Sequence, residues 1–568
     1  MSKIKNYIFI VIMVMLAFFL YGLPNFYAPD ETRYSEVARE MLANHDFIIP
    51  YINGIVFFHK PPLIYWIIDV FMSIFGENTW GARLANPFLV LVCMLFVYYA
   101  VNKLLQSKVV ALLSVIITLT TVLILFVGRY LNIDMGIAVF LNLTMLSYWL
   151  SLKYDDDYKI SSLWLLMAFV FSGLAVMTKG LMGVVFPMAI VGLYSITMNE
   201  WRRLIDIRLY IGLAIVGIIS LPWVLLVDQQ YSDFAYYYIV IQQILRYSTN
   251  EQNRDVSKII YLLAFTGAFF PWFGFLPQAL KEFFSKAGFK NRKQNKDNWF
   301  LFIWGIFIFV FFGISQSFLF GYLAPLMLPF GILIAIYIAK LSTRKFSKWD
   351  KVAVVIPTFV FGLLPVAGVV IIALPQVRDN IFTVAVLMIP IIVVSIFVVV
   401  KSIEALKTQC IKKIVIYFAI MMMVLANFGY AVGQYIDNTN VKKITTDINT
   451  ILLENPNAQI YASHRFYEIG FDTKHIPIMI NDEDELSYLK AVKNSGVKKY
   501  MMSYQDFIKK WNKSDDLNLI VIRNKHNRHL TKPDKALDDY RRDILSTKFH
   551  IVDSDSYATL VANNDVSI

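Results

Sequence analysis

Long apolar runs recur through the first three quarters of the chain, separated by short polar loops. They fall at 7–23, 84–102, 109–127, 132–151, 161–178, 181–198, 208–227, 258–280, 298–314, 318–339, 352–374, 381–400 and 414–435. As α-helices, runs of this length cover about 30 Å of hydrocarbon. The pattern predicts a polytopic α-helical membrane protein with about 13 transmembrane helices. After Tyr435 the pattern changes. Short β-like runs (459–462, 476–480, 519–522, 549–552) alternate with helical stretches carrying charged faces, such as Glu483–Lys493. This predicts a C-terminal α/β domain outside the membrane. The expected division is a membrane domain over 1–438, with extracytoplasmic loops at 24–83 and 228–257, and a separate domain over 439–568.

Composition agrees. The 568 residues are 57% hydrophobic and 17% charged, too little charge for a water-soluble protein of this size. The net charge of +12 lies mostly in alternate loops. Lys103 and Lys108, then Arg202, Arg203 and Arg208, then the lysines of 281–296, 340–351 and 401–413 share one side. The positive-inside rule makes that side cytoplasmic, so the basic balance reports topology and not nucleic-acid binding. The N-terminus is then inside, and an odd span count puts the C-terminus outside. Lys3 and Lys5 ahead of Ile8–Leu23 resemble a signal peptide. The long apolar run and the missing small-x-small site read instead as an uncleaved first span. Cys93 lies mid-span and Cys410 in a basic loop, which predicts neither a disulfide nor a thiolate metal site.

Ionisable residues at the opposite span ends change the picture. Asp30, Glu31, Arg33, Lys60, Asp134, Lys179 and Arg246 all fall there, and such groups persist in a membrane when they bind something. In 29–42, Tyr34, Val37, Ala38, Met41 and Leu42 form a helical stripe. A short amphipathic helix along the outer membrane surface is expected, with Asp30, Arg33 and Tyr34 on its first turn. A helix cap at Asp30 paired with Arg33 would explain the same residues structurally. Lys60 is held between Phe57, Phe58 and His59 on one side and Pro61 and Pro62 on the other, where a snorkelling lysine also fits. Asp134 ends the fourth span, Lys179 sits in a Thr-Lys-Gly turn, and Arg246 closes a Tyr-rich loop. Tyr322 also suits an aromatic belt. Acids among several cations beside apolar helices point to an anionic lipid headgroup. A lipid-linked sugar transporter would want repeated halves and polar groups at midplane, and the sequence has neither.

The run Ala28-Pro29-Asp30-Glu31-Thr32-Arg33-Tyr34, with Glu36, Ala38, Arg39, Glu40 and Met41, resembles the signature of bacterial lipid A aminoarabinose transferases. These are undecaprenyl-phosphate-dependent glycosyltransferases of the GT-C fold, family 83, related to protein O-mannosyltransferases. The resemblance continues through Lys60-Pro61, Asp134, Thr178-Lys179-Gly180, Arg246-Tyr247 and Tyr322-x-x-Pro325. It implies a multi-pass protein of the inner membrane with a periplasmic site. There an amino sugar, aminoarabinose or a relative such as galactosamine, passes from undecaprenyl phosphate to a phosphate of lipid A or lipopolysaccharide. It implies catalytic roles for Asp30 and Asp134 and phosphate contacts from Lys60, Arg246, Arg33 and Lys179. Glu31, Tyr34 and Tyr322 would line the substrate cavity. A related enzyme glycosylating protein hydroxyls is the alternative. The chain departs from the family at His59, where a glutamate is usual, and at Gln243, where a histidine is usual. That pair is associated with a divalent metal. His59 remains a candidate ligand, but glutamine is a poor one, so no cofactor is firmly implied. The family's Ser-Lys-x-Lys stretch reads Ser315-Gln316-Ser317-Phe318.

Overall fold

The computed structural model describes residues 3–232, 234–245, 256–315, 318–437, 441–480, 496–525, 536–555 and 557–566. Among these, nine helices are long and apolar enough to cross a membrane. Lys258–Ala268 and Phe273–Phe284 add a pair bent by 102°, with Pro271 in the break. Three shorter apolar helices, Ile4–Ala17, Lys108–Leu119 and Met182–Met198, occupy the remaining expected positions. A further apolar helix, Leu63–Phe75, lies inside the 24–83 segment, where amphipathic helices were expected.

The chain forms two compact units, divided differently from the expected boundary at 438/439. One comprises Met1–Leu23, Arg83–Leu225 and Ala235–Tyr435; the other Pro24–Ala82, Leu226–Phe234 and Ile436–Ile568. In the helical unit, polar side chains satisfy the backbone where helices stop. The Asn427 side chain accepts from Leu20 N–H at 2.9 Å and from Arg129 Nη2 at 2.8 Å, and donates to the Leu16 and Met423 carbonyls. Arg129, which is buried, also donates to the carbonyls of Ala17 and Leu125. One arginine and one asparagine thus tie the end of the first helix to the last span and to the bend after Val127.

The second unit contains a two-stranded hairpin, β1 (Tyr51–Ile52) and β2 (Ile55–Val56), and a six-stranded sheet. The sheet strands are β3 (Gln459–Ala462), β4 (Ile478–Ile480), β5 (Met501–Met502), β6 (Asn518–Arg523), β7 (His550–Ser554) and β8 (Ala558–Ala562), in the order β5-β4-β3-β6-β8-β7. The first four are parallel and β8 and β7 run antiparallel. Side chains alternate across the strands. Ile460, Leu519, Val521 and Leu560 bury one face with Ile444, Ile448 and Phe466. Tyr461, Ile520, Ile522 and Val561 bury the other with Phe507, Trp511 and Tyr540. Both faces are covered, as a mainly parallel sheet requires. Glu483–Lys493 lies outside the described residues.

The helix expected over 29–42 forms as Asp30–Asn44, but it is not an interfacial amphipathic helix. Its polar face is buried as completely as its apolar stripe. Glu36 is 0%, Glu40 2% and Arg39 5% exposed. Glu36 takes a bidentate ion pair from Arg39 at 2.7 Å, and Glu40 accepts from Gly54 N–H at 2.9 Å. Leu63–Phe75 and Tyr467–Thr473 pack against this helix. Gly470 of the latter is so close to the Glu36 carboxylate that a β-carbon there would overlap it. The charges that suggested a wet face instead form a paired polar core. Burial pushes the carboxyls of Glu36 and Glu40 upward, with the Glu36 charge raising Glu40 further.

Glu468, next in the same contact region, is buried with neither carboxyl oxygen hydrogen-bonded among the described residues. Burial, with the charges of Asp472 and Asp437, pushes it up from 4.5 to about 8. Between those values the folded unit holds a proton that the unfolded chain releases, so stability falls as pH rises. Glu468→Gln should raise the thermal midpoint of the purified protein at about pH 8 and flatten its decline from about pH 5. An unchanged slope would show that Glu468 is not the group lost.

Candidate functional site

Three residues expected at the site meet within the helical unit. Asp134 stands in the first turn of Ile133–Lys153, whose cap is Asn132: its side-chain oxygen accepts from the N–H groups of Asp134 at 2.8 Å and Met135 at 3.2 Å. The irregular stretch ahead of it is held by Asn86, whose amide donates to the carbonyls of Val127, Tyr130 and Asn132. Lys179 is the last residue of Tyr158–Lys179. Its ammonium lies 2.5 Å from Asp134 Oδ1 and 4.0 Å from the centre of the Tyr322 ring. Tyr322 belongs to the single turn Phe320–Leu323 and packs against Phe312, with ring centres 5.1 Å apart and planes tilted by 38°. The lysine and aspartate side chains are 8% and 15% exposed.

Two glycines make this approach feasible. A β-carbon on Gly321 would overlap the Asp134 carboxylate. Gly180, at φ +85°, adopts a backbone that favours glycine, and a side chain there would run into the Gln243 amide. Gln243 lies on the π-helix Tyr237–Leu245, and its Nε2 is buried without a hydrogen-bond partner among the described residues. An unsatisfied donor beside the Lys179–Gly180 turn is costly and suits an acceptor brought by a ligand. Sequence reading marked Gln243 only as a departure from a metal site; its place against Gly180 needed coordinates. The adjacent Gly321 and Tyr322 gave no local signal of this approach either. Arg246, Tyr247, Gln316 and Ser317 lie outside the described residues.

The remaining expected residues sit in the second unit. Asp30 is the first residue of its helix, not the cap, which is Pro29 with no side-chain bond. It pairs loosely with Arg33 at 3.8 Å and its side chain is 41% exposed. Arg33 lies over the Tyr467 ring at 5.8 Å. Glu31 is fully buried and accepts from Tyr27 N–H at 2.8 Å, a backbone anchor for the entry to the helix. Tyr34 is buried near Tyr65, with ring centres 6.2 Å apart. Lys60 is half-buried just ahead of Leu63–Phe75, and Phe58 is gripped by Tyr231 and Phe234 at about 5 Å. His59 is buried against the Phe57 ring. Among the described residues no three His, Cys, Asp or Glu side chains converge to hold a metal ion. The donor set does not fit the family's divalent metal.

Comparison with known proteins follows this geometry. Residues 4–238 match the family model for dolichyl-phosphate-mannose-protein mannosyltransferase. The undecaprenyl phosphate-alpha-4-amino-4-deoxy-L-arabinose arabinosyl transferase of Erwinia tasmaniensis is 29% identical over 349 residues, 61% of each chain. That of Yersinia enterocolitica is 28% identical over 348 residues, again 61% of each. The chain thus matches about three fifths of these relatives' length. ArnT from Cupriavidus metallidurans bound to undecaprenyl phosphate superposes with a TM-score of 0.80 at 21% identity, covering 99% of this chain and 98% of that one. Its apo form gives 0.79. The shared fold therefore extends beyond the region of sequence similarity.

Removing one member of the Lys179–Asp134 pair strands the other in a poorly solvated place. Lys179→Met or Asp134→Asn should each destabilise the protein by about 2–4 kcal/mol. The double variant should lose less than the sum. Thermal unfolding in detergent measures the cycle, and strictly additive losses would mean the two side chains are not coupled.

Proposed function

We infer, from this chain's place among the bacterial lipid A aminoarabinose transferases of the GT-C fold, that it moves an amino sugar from undecaprenyl phosphate to a phosphate of lipid A. The transfer occurs on the periplasmic face of the inner membrane. The observation that carries this reading is the buried Lys179, held by Asp134 beneath Tyr322. Its support is a fold shared over 99% of the chain with an ArnT whose structure holds undecaprenyl phosphate.

The chemistry follows from charge. The bond from the sugar's anomeric carbon to the donor phosphate oxygen breaks, and undecaprenyl phosphate leaves with the electron pair. An oxygen of the acceptor phosphate forms the new bond from the opposite face, with inversion. Charge grows on the departing phosphate in a site of low dielectric. Cations placed there lower the barrier because they meet more charge in the transition state than in the ground state. Lys179 and Lys60 take this role, with Arg33 and Arg246. Asp134 keeps Lys179 oriented until an anion shares its hydrogen bonds. An acceptor phosphate is already ionised near neutral pH, so no strong base is needed. Asp30, the most exposed acid of the set, orients the acceptor or stabilises positive charge on the sugar ring. Tyr34 and Tyr322 supply wall, and Glu31 supports the helix carrying Asp30. The sugar is aminoarabinose or a related amino sugar such as galactosamine.

The match of residues 4–238 to protein mannosyltransferases supports a second reading, in which the acceptor is a protein hydroxyl and Asp30 is its base.

Mass spectrometry of lipid A from cells with and without the chain separates the readings. A sugar-sized mass added to lipid A is expected. Lipid A left unchanged while a periplasmic protein gains a sugar would select the second. With purified donor in detergent, Asp30→Ala should cut transfer at least ~100-fold and Lys179→Met by about 100- to 1,000-fold. Full activity in either variant would remove that residue from the mechanism.

A further inference from the structure

A second basic feature lies away from the Asp134–Lys179 cluster, at the other end of the helix Ile133–Lys153. A cavity of about 690 Å³ is lined by Lys103, Lys108 and Lys153, with Asn102, Gln106 and Tyr154 between them. Lys103 is in the last turn of Ala85–Leu105, Lys108 opens Lys108–Leu119, and Lys153 ends Ile133–Lys153. No acidic side chain lines the cavity. Of the neighbouring acids, Asp155 pairs with Arg203 at 2.9 Å and Asp157 caps Tyr158–Lys179, while the exposed Asp156 lies outside the lining. Three cations from three helices therefore converge around one polar cavity with no carboxylate in its lining.

We propose that this cavity binds the phosphate of an anionic phospholipid headgroup. Like-charged lysines gathered without a carboxylate repel one another, and an anion between them relieves that repulsion. Lysines near the surface of an anionic leaflet are worth about 1 kcal/mol each in such binding. Asn102, Gln106 and Tyr154 offer further donors to phosphate or glycerol oxygens. The adjoining surface favours a lipid over a soluble phosphate. Val109, Leu112, Leu113 and Ile116 recur at i, i+3, i+4 and i+7, exposed or half-buried along Lys108–Leu119. They form an apolar track leading from the cavity into the span, suited to an acyl chain. This site is independent of the transfer reaction proposed above and uses none of its residues.

The test titrates the purified full-length protein in detergent with dioleoylphosphatidylglycerol and counts retained lipid by native mass spectrometry. Dioleoylphosphatidylcholine and inorganic phosphate serve as the other arms. The wild type should retain at least one phosphatidylglycerol in preference to phosphatidylcholine. Joint replacement Lys103→Gln, Lys108→Gln and Lys153→Gln should weaken that binding about 100-fold, while the three Lys→Arg replacements keep it. Lys153→Gln alone should lose about 5-fold, so the proposal stands or falls even if the triple variant folds poorly. Unchanged retention in the glutamine variants, or equal retention of phosphatidylcholine, overturns it. Displacement of the lipid by inorganic phosphate at equal concentration would identify a soluble anion and overturn the lipid assignment.

Discussion

Hydrocarbon offers no hydrogen-bond partner, so each place where a helix stops inside the membrane unit must be satisfied by the protein itself. The segment 128–132 is such a place. Asn86 binds two of its carbonyls and that of Val127 just before it, Asn132 caps the helix that follows, and Arg129 with Asn427 ties the segment to the first and last spans. The position of Asp134 depends on these bonds. Without them its carboxylate would not be fixed against Gly321 and within reach of Lys179. The scaffold therefore spends buried amides on geometry, and the geometry concentrates an acid, a cation and an aromatic face at one point.

That point is close to electrically neutral as it stands. A lysine paired with an aspartate offers little field to a distant anion, but the pair is poised to exchange. The Tyr322 face offers its electrons to the ammonium from another side, so a phosphate can take part of the lysine's hydrogen bonding without stripping it bare. In the proposed reaction Gln243, whose buried amide donor has no partner among the described residues, would meet the same anion. Preorganised donors of this kind need not be reoriented when charge develops.

Much of this was legible in the chain. Period and length located, among the described residues, the nine span-length helices, the bent pair and three of the shorter apolar helices. Asp134 and Lys179 could be named because charges at span ends are expensive, and Tyr322 through the family resemblance. Strands 459–462 and 519–522 followed from alternation and β-branched composition. What failed did so for one reason: contacts between residues hundreds of positions apart leave no local trace. Glu36, Arg39 and Glu40 looked like a wetted face because nothing nearby in sequence reveals that Tyr467–Thr473 covers them. Glu31 looked like cavity lining because its bond to the Tyr27 backbone is a matter of coordinates. The strand Ala558–Ala562 was missed although it is flanked on both sides in the sheet. The 24–83 segment was assigned to the membrane domain by sequence order, whereas its buried polar core belongs with chain synthesised much later.

That last feature has a consequence for biogenesis. Glu36 leaves the ribosome 434 residues before its neighbour Gly470. At about 5–20 residues per second, roughly 20–90 s elapse before the covering helix exists. Through that interval the Asp30–Asn44 segment lacks its final lid, with acids and an arginine awaiting burial. Maturation of this protein is therefore gated by its carboxyl-terminal quarter, and a nascent chain released after Ile436 would carry every apolar helix yet leave this segment uncovered.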